Sequence, residues 1–329
     1  MANVNVNIIS DIKKIDEIKG NILGIIEYGI NQIGATELEL SHLPHQFIRM
    51  ENIDKNVYEV WYTEENVIYN KYNYCKEGKS KHYCFRTVAI NDTENDHIRN
   101  AEDAYHTILK DFNFEEYKIF RFWNYIPNII ELGEKGEHYK EFCTGREKAF
   151  KSFYEENGTI YPAATGIGSK GNNLCIILFA IHSDAVRICI ENPRQVPAYQ
   201  YPSKYGISSP KFSRATYVKC ENERMLFLSG TASIIGSNSV YIGNVTKQLY
   251  TTIENINLLL SEENLSRHSA FVKSDEMKLQ YLKVYMKNWE DYFSIKTICE
   301  KYFEDTNIIY MQSDICRREL LVEIEGVWI

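Results

Sequence analysis

The chain closes with "CRRELLVEIEGVWI" (residues 316–329), where Glu323 and Glu325 stand two apart in an apolar run that follows Arg317 and Arg318. In an extended strand successive side chains point to opposite faces, so Leu320, Val322 and Ile324 share one face and Leu321, Glu323 and Glu325 the other. Two readings stay open. An edge strand whose second face meets water accounts for both glutamates with no chemistry at all, because carboxylates are rarely buried. A pocket on that face gives a different result: a carboxyl held among apolar neighbours has its pKa raised and can deliver a proton near neutral pH. A neighbouring arginine pulls in the opposite direction.

Arginines form the second group. Arg146 sits in the helical segment "CTGREKAF", Arg194 and Arg214 flank the loop "ENPRQVPAYQYPSKYGISSPKFSRAT", and Arg317 precedes the last strand. Guanidinium groups bind carboxylates bidentately, and four of them in segments rich in glycine, proline and tyrosine suit a dianionic ligand if the fold gathers them. Tyr199, Tyr201 and Tyr205 can supply hydroxyls there or simply cover the core. In "LSGTASIIG", Ser229, Thr231 and Ser233 flank a glycine turn whose backbone can approach a ligand closely. The GxSxG spacing of a nucleophile elbow is absent. "PAATGIGSKG" lacks both the GxxxxGK[ST] and the GxGxxG spacing, which excludes a phosphate loop and a dinucleotide fingerprint.

Strand-like and helix-like stretches alternate along the whole chain and must position these groups. Strands are expected at 47–50, 57–63, 83–90, 117–126, 174–181, 185–192, 224–234 and 279–287, with the tail as the last. Helices are expected at 97–112, 135–157, 246–264 and 289–305, where apolar residues recur at helical spacing. The pattern indicates sheets covered by helices, with a packed boundary near 155–160 that divides a smaller module, 1–155, from a larger one, 156–329.

A length of 329 residues with 44% hydrophobic content is enough for one large or two medium cores. The net charge of −8 argues against nucleic acid or an anionic membrane as partner, while leaving room for a small anion bound by local arginines. Eight cysteines form no CxxC pair and no cluster with histidine, so no metal is expected. The N-terminus lacks a basic-then-apolar signal, and no apolar run approaches the roughly 20 residues of a membrane span. A cytoplasmic protein with reduced thiols is the expectation.

From residue 117 onward the chain resembles the chorismatases. The matching segments are "RFWNYIPNI", "FCTGREKAF", "YPAATGIG", the long 191–215 stretch, "LSGTASIIG", "TTIENINLL" and "DICRRELLVEIEG". The resemblance implies an α+β fold of mixed β-sheets covered by helices, with modules like those of the YjgF reactive-intermediate deaminases combined in one chain that can work as a monomer. It also implies a cofactor-independent enzyme that removes the enolpyruvyl group of chorismate as pyruvate. Glu323 then matches the acid that protonates the enol ether. Arg146, Arg214 and Arg317 match carboxylate-binding arginines, assisted by Tyr199 or Tyr201, and Arg194 matches less well. Thr231 and Ala232 fall at the turn near the substrate. Cys316 stands where hydroxybenzoate-forming members carry cysteine, whereas Ala232 leans toward the diol-forming branch. The expected product is 3-hydroxybenzoate. A dihydroxycyclohexadiene carboxylate, or a YjgF-like enamine or imine hydrolysis, is the alternative.

Overall fold

Runs of aromatic and β-branched residues pair into three sheets in the computed structural model, which describes residues 3–32, 40–92, 96–133, 136–154, 161–270 and 277–329. The first sheet holds β1 (Val4–Ile9), β2 (Asn21–Gly29), β3 (His45–Arg49) and β4 (Val57–Thr63) in the order β1-β4-β2-β3. The second holds β5 (Ile68–Tyr72), β6 (Cys75–Lys79), β7 (Tyr83–Asn91), β8 (Tyr117–Pro127), β9 (Ala163–Ser169) and β10 (Asn173–His182) in the order β5-β6-β7-β10-β8-β9. After β11 (Val186–Ile190), β12 (Ala215–Cys220) and β13 (Glu223–Ala232), a small hairpin of β14 (Ile234–Ile235) and β15 (Asn238–Ser239) turns at Gly236. The third sheet is completed by β16 (Leu279–Met286), β17 (Asn307–Gln312) and β18 (Val322–Trp328), in the order β11-β12-β13-β18-β16-β17.

Helices cover the outer faces of the two larger sheets, as expected for the fold class. On the second sheet, α1 (His97–Leu109) and α2 (His138–Tyr154) bury Ala101, Ala104, Ile108, Phe142 and Phe150 against Phe122, Ile176 and Leu178. On the third, α3 (Val245–Leu259), α4 (Glu262–Arg267) and α5 (Tyr292–Tyr302) cover Leu228, Leu282, Val322 and Ile324. The inner faces of all three sheets meet in one core that includes Trp61, Phe85, Trp123, Phe179, Phe227 and Tyr285. Trp61 of the first sheet lies 5.0 Å from Phe179 of the second and 5.7 Å from Phe227 of the third, centroid to centroid. Each such aromatic pair contributes about 1 kcal/mol beyond the area it buries.

Several expected elements differ in extent, for identifiable reasons. The helix expected over 246–264 is two helices, because the Ser261 side chain accepts the Asn264 N–H and caps a new start. Only 322–328 of the tail is strand. Before it, Leu320 N–H turns back to Arg317 O at 3.1 Å. Gln248 of α3 grips this turn, accepting Leu321 N–H at 2.8 Å and donating to Glu319 O at 2.9 Å. The expected boundary at 155/156 lies outside the described residues, and the second sheet draws strands from both sides of it. Among the described residues, no helix is long and apolar enough to cross a membrane.

Candidate active site

Strand β18 is no edge. It lies between β13 and β16, antiparallel to both, and this overturns the solvated-edge reading of the two glutamates. Val322 and Ile324 face the helices, where they pack with Leu249, Ile253 and Ile256. Glu323 and Glu325 therefore face inward and are 4% and 1% exposed. Glu323 stands opposite Ala232 on β13 and Tyr285 on β16. Its carboxyl lies against Gly230, where any Cβ would collide with Oε1.

In front of Glu323 opens a cavity of about 170 Å³, walled by Glu323, Gly230, Ala232, Cys316, Tyr139 and Phe212, with Arg214, Arg317, Tyr201 and Tyr205 at its polar side. Burial, and then the charge of Glu325, push the Glu323 pKa up to about 8, against the opposing pull of Arg214 and Arg121. The carboxyl is thus protonated at neutral pH, the state a general acid needs. Burial also raises the Cys316 thiol, reinforced by Glu323, so it is a neutral thiol and no thiolate nucleophile.

Two guanidiniums face this cavity while bonded only to neutral groups. Arg214 Nη2 donates to Val196 O at 3.1 Å and to the Tyr201 hydroxyl at 2.6 Å. Arg317 Nη1 donates to Ser237 O at 2.9 Å and Ser239 Oγ at 3.1 Å, and its Cζ sits 4.0 Å from the Tyr205 ring centroid. Neither forms an ion pair among the described residues, so both keep their charge for an anionic ligand. The remaining cations of the wall, Lys140 and Arg318, are engaged by Glu137 at 3.0 and 3.3 Å. The 193–216 loop that presents Arg214 is tied down by Ser229. Its hydroxyl donates to Ser213 O at 2.6 Å and accepts Ala164 N–H at 2.9 Å.

Other residues singled out in the sequence stand away from the cavity wall. Thr231 pairs with Ile324 on the helix side of β13, so strand alternation brings Gly230 and Ala232 to the cavity instead. Its hydroxyl donates to Ser229 O, and that of Ser233 to Val240 O. Tyr199 packs on Tyr161 at 5.5 Å, and Arg194 pairs at the surface with Glu254. Arg146 is buried on α2 behind Tyr139. It donates to Cys143 Sγ at 3.8 Å, and among the described residues it pairs with no carboxylate.

Sequence reasoning missed Tyr139 and the charged cluster beneath the acid. Glu325 receives Lys283 Nζ at 2.7 Å, the Tyr285 hydroxyl at 2.9 Å, the Arg121 guanidinium and the Thr165 hydroxyl. Burial alone would raise Glu325, but Lys283 and Arg121 outweigh it and hold the group ionised. The available signal was a charge in the middle of an apolar strand, Arg121 in "KIFRFWNY" and Lys283 in "LQYLKVYM". Among the described residues no three His, Cys, Asp or Glu side chains form a metal-binding group. A wider hollow of about 1100 Å³, walled by Tyr72, Tyr74, Asp103, His106, Lys110 and Asp111, offers charges of both signs and no arginine. It lacks the buried acid and the convergent cations of the smaller cavity.

Residues 59–180 match the family model described as "Chorismatase FkbO/Hyg5-like, N-terminal". A "3-hydroxybenzoate synthase" of Streptomyces hygroscopicus is 35% identical over 321 residues, covering 93% of this chain and 91% of its own length. A "Chorismatase" of the same organism is 32% identical over 314 residues, covering 93% and 89%. A chorismatase crystal structure aligns with 100% of this chain and 99% of its own, with a TM-score of 0.87 and 27% identity.

Proposed function

The chain belongs to the chorismatase family, and from that membership we propose that it removes the enolpyruvyl side chain of chorismate, giving pyruvate and 3-hydroxybenzoate. One observation carries this reading to the residues. A buried carboxyl, protonated at neutral pH, shares a small cavity with two guanidiniums that have no carboxylate partner among the described residues. Chorismate is a dianion with an acid-labile enol ether, which matches both features.

Arg214 and Arg317 each hold one carboxylate of the substrate, and Tyr201 braces Arg214. Glu323 delivers its proton to the methylene carbon of the enol ether, which places a positive charge at the ether carbon. The carboxylate left behind faces that oxocarbenium in a cavity of low dielectric, where its attraction is strong. The ring hydroxyl attacks the neighbouring, ether-bearing carbon and returns a proton to the Glu323 carboxylate, while the ether bond breaks and pyruvate leaves with the ether oxygen as its carbonyl. The ring epoxide so formed opens at its other carbon, and the ring aromatises as the C–H proton beside the retained oxygen is lost and that oxygen is protonated. Pyruvate and 3-hydroxybenzoate together contain all the atoms of chorismate, so this route consumes no net water, whereas the diol route takes one up. Arg146 supports the site from behind Tyr139. Cys316, a small neutral side chain next to the acid, favours the aromatic product by keeping that corner of the cavity apolar.

Pyruvate release from chorismate, followed with lactate dehydrogenase, combined with chromatography of the ring product, tests the proposal. Equal amounts of pyruvate and 3-hydroxybenzoate are expected. No pyruvate above background contradicts the activity, and a dihydroxycyclohexadiene carboxylate contradicts the product.

A further inference from the structure

Four buried charges from all three sheets form an alternating row beneath the cavity. Glu59 on β4 accepts Lys283 Nζ of β16 at 2.8 Å, and Lys283 reaches Glu325 of β18 at 2.7 Å. Glu325 in turn holds Arg121 of β8. All four are 1% exposed or less. Glu59 is further fixed by the Tyr281 hydroxyl at 2.6 Å, Trp61 Nε1 at 2.8 Å and the Tyr28 hydroxyl at 3.0 Å. Burying such ions is a poor route to stability, because well-packed apolar residues of similar volume are often as stable or more so. A role beyond holding the sheets together follows from where the row ends. Thr165 Oγ1 contacts Glu325 and accepts Gly230 N–H at 3.1 Å, and Gly230 is the residue against which the Glu323 carboxyl lies.

We propose that Glu59, on the N-terminal sheet, is a positioning residue of the reaction: through Lys283 and Glu325 it sets the charge that Glu323 faces. This rests on Glu323 being the acid. The row has two cations and two anions, so it is neutral as a unit. Removing Glu59 leaves it positive and favours ionised Glu323, while removing Lys283 leaves it negative and favours the protonated form. The other groups near Glu323 are Arg214 from the 193–216 loop, Cys316 from the tail turn and Tyr139 from α2. Those around Glu59 and Lys283 are Tyr28, Tyr125, Tyr281 and Tyr285, all neutral because burial raises them. Neither set changes between the variants compared.

The test is kcat/KM for pyruvate release against pH in the wild type, Glu59→Gln, Lys283→Met and the double variant. The alkaline limb is expected to move down by on the order of one pH unit in Glu59→Gln and up in Lys283→Met, and to return near the wild-type position in the double variant. A limb that stays put in Glu59→Gln, or moves the same way in both single variants, overturns the proposal. If one single variant does not fold, the sign in the other decides. If neither single variant folds, the pair serves stability alone and the proposal fails. Glu323→Gln is run alongside. Continued turnover in that variant defeats the assignment of the acid, whereas its inactivity with an immobile Glu59→Gln limb defeats only the inference drawn here.

Discussion

Gly230 and Glu323 touch across the β13–β18 ladder: the glutamate carboxyl occupies the space where a Cβ at residue 230 would go. The colliding atom is the far end of a side chain, so the fold can yield by moving it. The chemistry has less latitude, because an acid displaced by an ångström no longer addresses the reacting carbon. Gly230→Ala is therefore expected to fold with wild-type circular dichroism and to lose about 100-fold in kcat.

The protonation state of Glu323 makes two predictions with one sign. Activity requires the proton, so kcat/KM falls as pH rises through about 8. The folded pKa is raised above the ordinary carboxyl value of 4.5, so the contribution to stability is full below 4.5 and is lost as pH climbs to about 8. Glu323→Gln lacks this loss. Relative to that variant, the wild type is expected to lose roughly 4 kcal/mol of unfolding free energy between those limits, measured by urea titration at several pH values.

Arg214 and Arg317 face the cavity with fork geometry that a lysine does not reproduce. Arg214→Lys and Arg317→Lys are each expected to raise KM for chorismate about 10-fold or more, with a smaller effect on kcat. Steady-state kinetics of pyruvate release reads the split. Unchanged KM in both removes them from carboxylate binding.

Most of the strands and helices were legible because their periods are simple. The run "VYEVWYT" is β4, and Ala101, Ala104 and Ile108 mark the buried stripe of α1. Glu323 was legible as a carboxylate in a strand. Its environment was not, because burial depends on β18 lying between two strands distant in sequence. The same limit hid the row of Glu59, Arg121, Lys283 and Glu325: each stands in an otherwise apolar strand with at most one other charge, and only the three-sheet core pairs them. Thr231 reads in the sequence as part of a glycine turn, whereas it lies within β13; the β13–β18 register shift between Leu228 and Thr231 leaves it opposite Ile324, on the helix side.

Cys316 stands beside the acid as an uncharged thiol. Cys316→Ala enlarges that corner enough to admit water to the cation, so the ring product is expected to shift toward the dihydroxycyclohexadiene carboxylate while pyruvate release continues. Chromatography of the ring product reads the ratio, and an unchanged ratio removes Cys316 from product choice.

The assignment of the proton to Glu323 is tested most directly by Glu323→Gln, a substitution that preserves shape and removes the acid. With purified variant and chorismate, calorimetry is expected to show binding within a few-fold of the wild type, while the lactate dehydrogenase assay shows pyruvate release reduced at least 1,000-fold. Pyruvate release at a rate near that of the wild type would contradict it.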